Sequence, residues 1–213
     1  MFQMSGLLPA FRGTKKRMNE RELFFILRSS GRRFFSSRIR RFSVFVVSLG
    51  IVFFTTGRSV MAFEIKSDAF EDGQMIPLAY TCMGQDVSCP LSWSEPPQGT
   101  VSFVLICDDP DAPMGTWVHW VMYNIPAQKT QLPEGLASDS VLQDGSRQGV
   151  NDFGKTGYGG PCPPPGQTHR YYFKMYALDI LLDLDGPVTK KDLERVMRGH
   201  VLGQATMVGK FRK

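Results

Sequence analysis

The chain is poor in the residues and spacings that most enzymes use. Only three histidines occur in 213 residues, and no two of them stand at the short spacing of a helix-borne metal motif. Neither G-x-S-x-G nor H-E-x-x-H is present, so there is no signature of a serine-hydrolase elbow or a zincin helix. The four cysteines include no C-x-x-C pair, which argues against structural zinc and a thioredoxin-like redox site. No internal repeat is visible, and no apolar run reaches the roughly 20 residues of a membrane span. The reading is of a chain without catalytic residues, metal ligands or cofactor.

What is present divides at residue 62. Of the 25 Lys and Arg, 12 lie at or before Ala62, against 2 of the 20 Asp and Glu. The remainder holds 13 basic and 18 acidic residues. The net charge of +5 therefore belongs to the leader. The part that folds carries a negative balance, which excludes a nucleic-acid partner argued from charge. Within the leader, Arg32, Arg33, Arg38, Arg40 and Arg41 precede the apolar run from Phe42 to Phe54, and small residues follow up to Ala62. That order is a secretory signal pattern. Residues 1–62 are expected to be a leader with a signal peptide or an N-terminal anchor, and 63–213 a single domain. The protein is expected in the periplasm, touching membrane only through the leader if that stays uncut. A true start at Met61 would instead make it cytoplasmic.

From Phe63 onward, short strands are divided by turn clusters, the pattern of an all-β sandwich. Val101 to Cys107 is a continuous apolar run, as expected of a central strand buried on both faces. Trp117 to Ile125 alternates, which places Trp117, His119, Val121 and Tyr123 on one face and Val118, Trp120, Met122 and Asn124 on the other. Tyr171, Phe173, Met175 and Ala177 share a face of a further strand. One helix is predicted after Pro187, with Thr189 and Asp192 as a capping box and Leu193, Val196, Met197 and Val201 on one stripe. Gln204 to Phe211 returns as a last strand.

Two segments carry the chemistry. Asn151 to Tyr171 (N-D-F-G-K-T-G-Y-G-G-P-C-P-P-P-G-Q-T-H-R-Y) is too rich in glycine and proline for an element interior and too long for an ordinary connection. It is a candidate binding loop. D-D-P-D-A-P, Asp108 to Pro113, is a proline-locked turn at the exit of the buried strand, followed by W-V-H-W from Trp117. Taken alone, Asp111 reads as an Asx-type turn former and His119 as a satisfied strand histidine. Asp109, His119 and His169 also have the composition of a two-histidine, one-carboxylate metal site.

These motifs (D-P-D-A-P at Asp109–Pro113, H-W at His119–Trp120, G-Y-G-G-P-C-P-P at Gly157–Pro164 and H-R-Y at His169–Tyr171) resemble the phosphatidylethanolamine-binding protein family. The branch they resemble is the bacterial, Raf-kinase-inhibitor-like one, and the likeness runs from about Phe63 to the last residues. Met61 onward also resembles the way cytosolic members of that branch begin. The resemblance implies an all-β-dominated sandwich of two antiparallel sheets with a few peripheral helices. It also implies a shared cavity formed by Asp109, His119, Gly160, Pro161, His169 and Tyr171, with Tyr158 and Trp117 as further candidates. Imidazole N–H, tyrosine O–H and close-approaching backbone N–H groups suit a phosphate or phosphorylated head group. Binding is expected to tighten below about pH 6.5, where ordinary imidazole becomes charged. The functional expectation is a non-enzymatic binding protein for a phosphate-bearing small molecule or lipid head group. The alternative is a protein-interaction module that inhibits a partner protease or kinase.

Among the cysteines, Cys82 and Cys89 are nearest in sequence, and Gly84 between them would let them meet. Such a short disulfide loop would contribute about 2–3 kcal/mol in the chain-entropy model. Cys107 reads as an inert core residue, and the resemblance to the bacterial branch implies that Cys162 lines the pocket.

Overall fold

The computed structural model describes residues 62–213; the expectations about the leader lie outside the described residues. Eight strands and one α-helix follow in the order β1 (Ile65–Lys66), β2 (Leu91–Trp93), β3 (Ser102–Asp109), β4 (Trp117–Pro126), β5 (Gln131–Leu132), β6 (Arg147–Gln148), β7 (Thr168–Leu178), α1 (Lys190–Val196) and β8 (Val201–Arg212). A small sheet has the order β1-β2-β5 and a larger one β6-β4-β3-β7-β8, and every pairing between strands is antiparallel. The architecture is the expected all-β-dominated pair of sheets. The expected few helices reduce, among the described residues, to α1 and a single 3-10 turn at Leu78–Tyr80.

Two apolar layers explain why β3 is hydrophobic from Phe103 to Cys107. Phe103, Leu105 and Cys107 face the small sheet and pack with Leu91, Trp93, Leu132, Phe173 and Met175. Val104 and Ile106 face the other way and pack with Val121, Leu178, Val188, Leu193 and Met197 under α1. A strand covered on both faces has no position for a solvated side chain, so the period-2 signal disappears. The capping box forms as expected: the Thr189 hydroxyl accepts from the Asp192 N–H, and the Asp192 carboxylate accepts from the Thr189 N–H. Val201 does not extend the helical stripe. It begins β8, because the helix ends at Val196 and the chain reverses through Gly199 at a left-handed φ of 86°.

The predicted alternation of β4 is broken twice. Cys107 faces Trp120 whereas Asp108 faces Val118, so His119 is an extra residue in the ladder. A second residue is gained between Met122 and Ile125, where Asn124 sits at φ 53°. Such bulges displace the face on which later side chains emerge. Trp120 and Met122 therefore join the layer between the sheets, while Val118, Val121 and Tyr123 join the layer under the helix. The bulge at position 119 sits at the end of the sheet that carries the polar turn Asp108–Pro113, and it aims the imidazole there.

Candidate functional site

Antiparallel pairing brings the exit of β3, the entrance of β4 and the entrance of β7 to one end of the large sheet. Asp109, His119 and His169 thereby meet around a cavity of about 500 Å³, though 50 residues separate the two histidines in sequence. Its polar floor is ringed by Trp117, Phe153, Pro113, Met114 and the run Pro163–Pro165. All three floor side chains are nearly fully buried.

Asp109 uses both carboxylate oxygens within the protein. Oδ1 accepts from the Asp111 N–H at 2.8 Å, and Oδ2 accepts from His169 Nδ1 at 2.7 Å. The carboxylate thus forms the Asx-type turn itself and also fixes the ring of His169, whose Nε2 faces Gln167 Oε1 at 3.2 Å. Asp111 takes a different part. Its carboxylate accepts from the backbone N–H of Arg170 and pairs with the guanidinium at 2.6 Å. That hydrogen bonding holds the Asp111 carboxyl below its ordinary range. The pair staples the turn to β7 at the surface and stands outside the cavity.

His119 is positioned by the glycine-rich loop. Its Nδ1 donates to the Gly159 carbonyl at 2.7 Å, and its own carbonyl accepts from the Gly159 N–H at 2.9 Å. The ring packs edge-to-face on Tyr171 and Phe153, at centroid distances of 5.1 and 5.3 Å. With Nδ1 committed as a donor, the neutral ring offers Nε2 to the cavity as an acceptor. Burial lowers the His119 pKa from its ordinary 6.5, against the opposing pull of the Gly159 carbonyl and Asp109. A buried base with a depressed pKa binds fewer protons folded than unfolded as the solution is acidified. Its contribution to stability is complete above pH 6.5 and is lost as the pH falls through the folded-state value. Urea denaturation at pH 7.5 and 5.0 should therefore show lower stability at pH 5.0. In His119→Gln the loss between the two pH values should be smaller. An identical loss in the variant would remove His119 as a cause.

Three of the six sequence-predicted site residues, Asp109, His119 and His169, line the cavity; the other three stand behind its wall. The Gly160 N–H, read above as a ligand contact, already donates to Asp86 Oδ1 at 2.7 Å. A Cβ there would lie 2.6 Å from the Tyr80 carbonyl, so glycine is needed for close packing. The Pro161 carbonyl accepts from the Cys82 N–H. Tyr171 is fully buried under His119, and its hydroxyl has no hydrogen-bond partner. Of the two further candidates, Trp117 lines the cavity, whereas Tyr158 donates to the Tyr80 carbonyl and packs on Trp120.

Cys162 does line the cavity, but it is bonded to Cys82. The open question of Cys82 and Cys89 is thereby answered: Cys89 is a free thiol facing the layer between the sheets, and burial pushes its pKa up to about 12. Cys107 is free and buried, as expected, and burial raises it as well. Proximity in sequence misled because residues 80–86 run alongside 158–162 and not back towards Cys89. Phe153, Met114 and Lys213 were missed as wall residues. Phe153 lies in the loop singled out from composition, but neither Met114 nor Lys213 carries any signal in sequence.

The model of the family described as phosphatidylethanolamine-binding protein matches residues 66–212, nearly the whole described domain. The chain belongs to the phosphatidylethanolamine-binding protein family. A relative from Methanothermobacter thermautotrophicus, a UPF0098 protein, is 50% identical over 150 residues, covering 70% of this chain and 99% of its own. A UPF0098 protein of Chlamydia trachomatis is 41% identical over 155 residues, covering 70% and 99%. Among solved structures, the family homologue CT736 of Chlamydia trachomatis matches with a TM-score of 0.65 at 41% identity, over 71% of this chain and 98% of that one. E. coli YbcL, described as a new member of the mammalian family, matches with a TM-score of 0.65 at 32% identity, over 71% and 98%. The expectation of a bacterial branch is thus widened, since the relatives include an archaeon. Family membership supports a binding-protein role.

Proposed function

We propose that the chain is a non-enzymatic binding protein whose cavity takes phosphate or a phosphorylated head group. The observation that carries this reading is the convergence of His119 and His169 on one cavity, each ring fixed through Nδ1. Fixed in this way, His119 offers Nε2 to a ligand, while His169 Nε2 faces Gln167 Oε1, which a ligand in the cavity has to displace or share; a hydrogen phosphate can both donate to and accept from such nitrogens. The bonding of Cys162 to Cys82 supports a non-catalytic reading, since a sulfur held in a disulfide offers no thiolate for attack. The same bond supports the periplasmic placement, because disulfides persist in oxidising compartments. Because burial disfavours charge on His119, its contribution as a cation sets in below the ordinary imidazole range, not at about pH 6.5.

Calorimetric titration of the chain with inorganic phosphate and with phosphoethanolamine tests the reading. Saturable binding is expected, with a loss of about tenfold in His119→Ala, which removes a ligand hydrogen bond of roughly 1.5 kcal/mol, and a smaller loss in Asp109→Asn, which releases the His169 ring but also removes a charge that repels the anion. Circular dichroism on both variants confirms that the fold is kept. A folded wild type that binds neither ligand refutes the proposal and directs attention to protein partners.

A further inference from the structure

We infer that Lys213 supplies the positive charge that recruits an anion to this cavity. The inference rests on the function proposed above and names a binding residue that the family motifs do not contain.

The argument is electrostatic. Among the residues that line the cavity, only Asp109 and Lys213 carry a permanent charge. Asp109 is negative, and a wall with that charge alone repels phosphate. His119 is nearly fully buried, and burial disfavours its charged form. His169 is committed to Asp109 through Nδ1, and Lys213 is the one permanent cation that the wall contains among the described residues.

The Cα of the lysine is placed there by backbone. The ladder of β7 with β8 pairs Thr168 with Arg212. One residue further, the Lys213 carbonyl accepts from the Gly166 N–H at 2.8 Å. This bond fixes the Cα of Lys213 beside the proline run of the binding loop. From that point the side chain crosses to the cavity, with Nζ 4.0 Å from the Sγ of Cys162. No carboxylate pairs with it among the described residues, so its charge is free for a ligand. An ammonium on a flexible stem acts at the rim as a point charge that imposes no single geometry on the anion. The histidines on the floor then read the oxygens by hydrogen bond, while Lys213 supplies attraction from the rim.

The test is titration of inorganic phosphate at neutral pH into wild type, Lys213→Met and Lys213→Arg, at low and at moderate salt. Methionine keeps the stem and removes the charge, and the backbone bond to Gly166 is unaffected. Lys213→Met is expected to bind about tenfold more weakly at low salt and to show a flatter salt dependence, because a screened charge has been lost. Lys213→Arg is expected to stay within about twofold of wild type. If Lys213→Met matches wild type at both salt concentrations while His119→Ala loses binding, the anion site stands and the role of Lys213 is overturned. If wild type binds no phosphate, the site and this role fall together.

Discussion

Replacing Cys82 and Cys162 by serine is expected to lower the unfolding free energy by on the order of 4 kcal/mol, from the loop-closure entropy of a bridge whose ends lie 80 residues apart. Little of this loss should come from broken native contacts. Three hydrogen bonds still tie the two segments together: Cys82 N–H to the Pro161 carbonyl, Gly160 N–H to Asp86, and Tyr158 hydroxyl to the Tyr80 carbonyl. The folded variants should therefore look like wild type by circular dichroism and differ only in the urea midpoint. Dithiothreitol should shift wild type to the midpoint of the double variant and leave the double variant where it is. An unchanged midpoint for the double variant would mean that the bond contributes nothing in solution. The two free thiols should not scramble the bridge, since Cys89 and Cys107 are buried and held protonated.

A loss of similar size is expected at the opposite face of the strand end. Asp108 has no exposed side-chain surface and is paired with Lys174 at 2.7 Å and Lys190 at 2.7 Å. Each lysine lies partly in solvent and can be lost singly at modest cost. Losing both in Lys174→Met/Lys190→Met leaves a buried carboxylate without a counter-ion, which costs about 3–5 kcal/mol. Adding Asp108→Val to the double variant should recover much of that loss, because an apolar side chain demands no partner there. Equal denaturation midpoints with and without Asp108 would show that the carboxylate is not the cause. The pairing also docks α1, since Lys190 is its first residue. Two adjacent aspartates at the exit of β3 thus hold different things: Asp108 the helix, Asp109 the cavity floor.

How much of the site could be read beforehand follows from where its information lies. The turn at Asp108–Pro113 and the loop at 151–166 announce themselves by proline and glycine, whose backbone effects are local. Thr189 and Asp192 cap a helix because both ends of the motif lie within one turn. The faces of β4 were misjudged because a bulge is a property of the pair of strands. Nothing in Trp117–Pro126 alone shows that His119 lacks a partner opposite. The resemblance implies Gly160 as a cavity residue, but the Asp86 carboxylate that takes up its N–H is not visible in the sequence.

The sequence by itself determined the sheet-rich class, the doubly buried central strand, the two polar segments and the family, since each rests on composition or pattern within short windows of chain. That Cys162 bonds Cys82, that Asp109 orients His169 and that Lys213 lines the cavity follow from the packing of the folded chain. Those are contacts between residues 51 to 80 positions apart, and the energy that selects them arises only when the sheets pack.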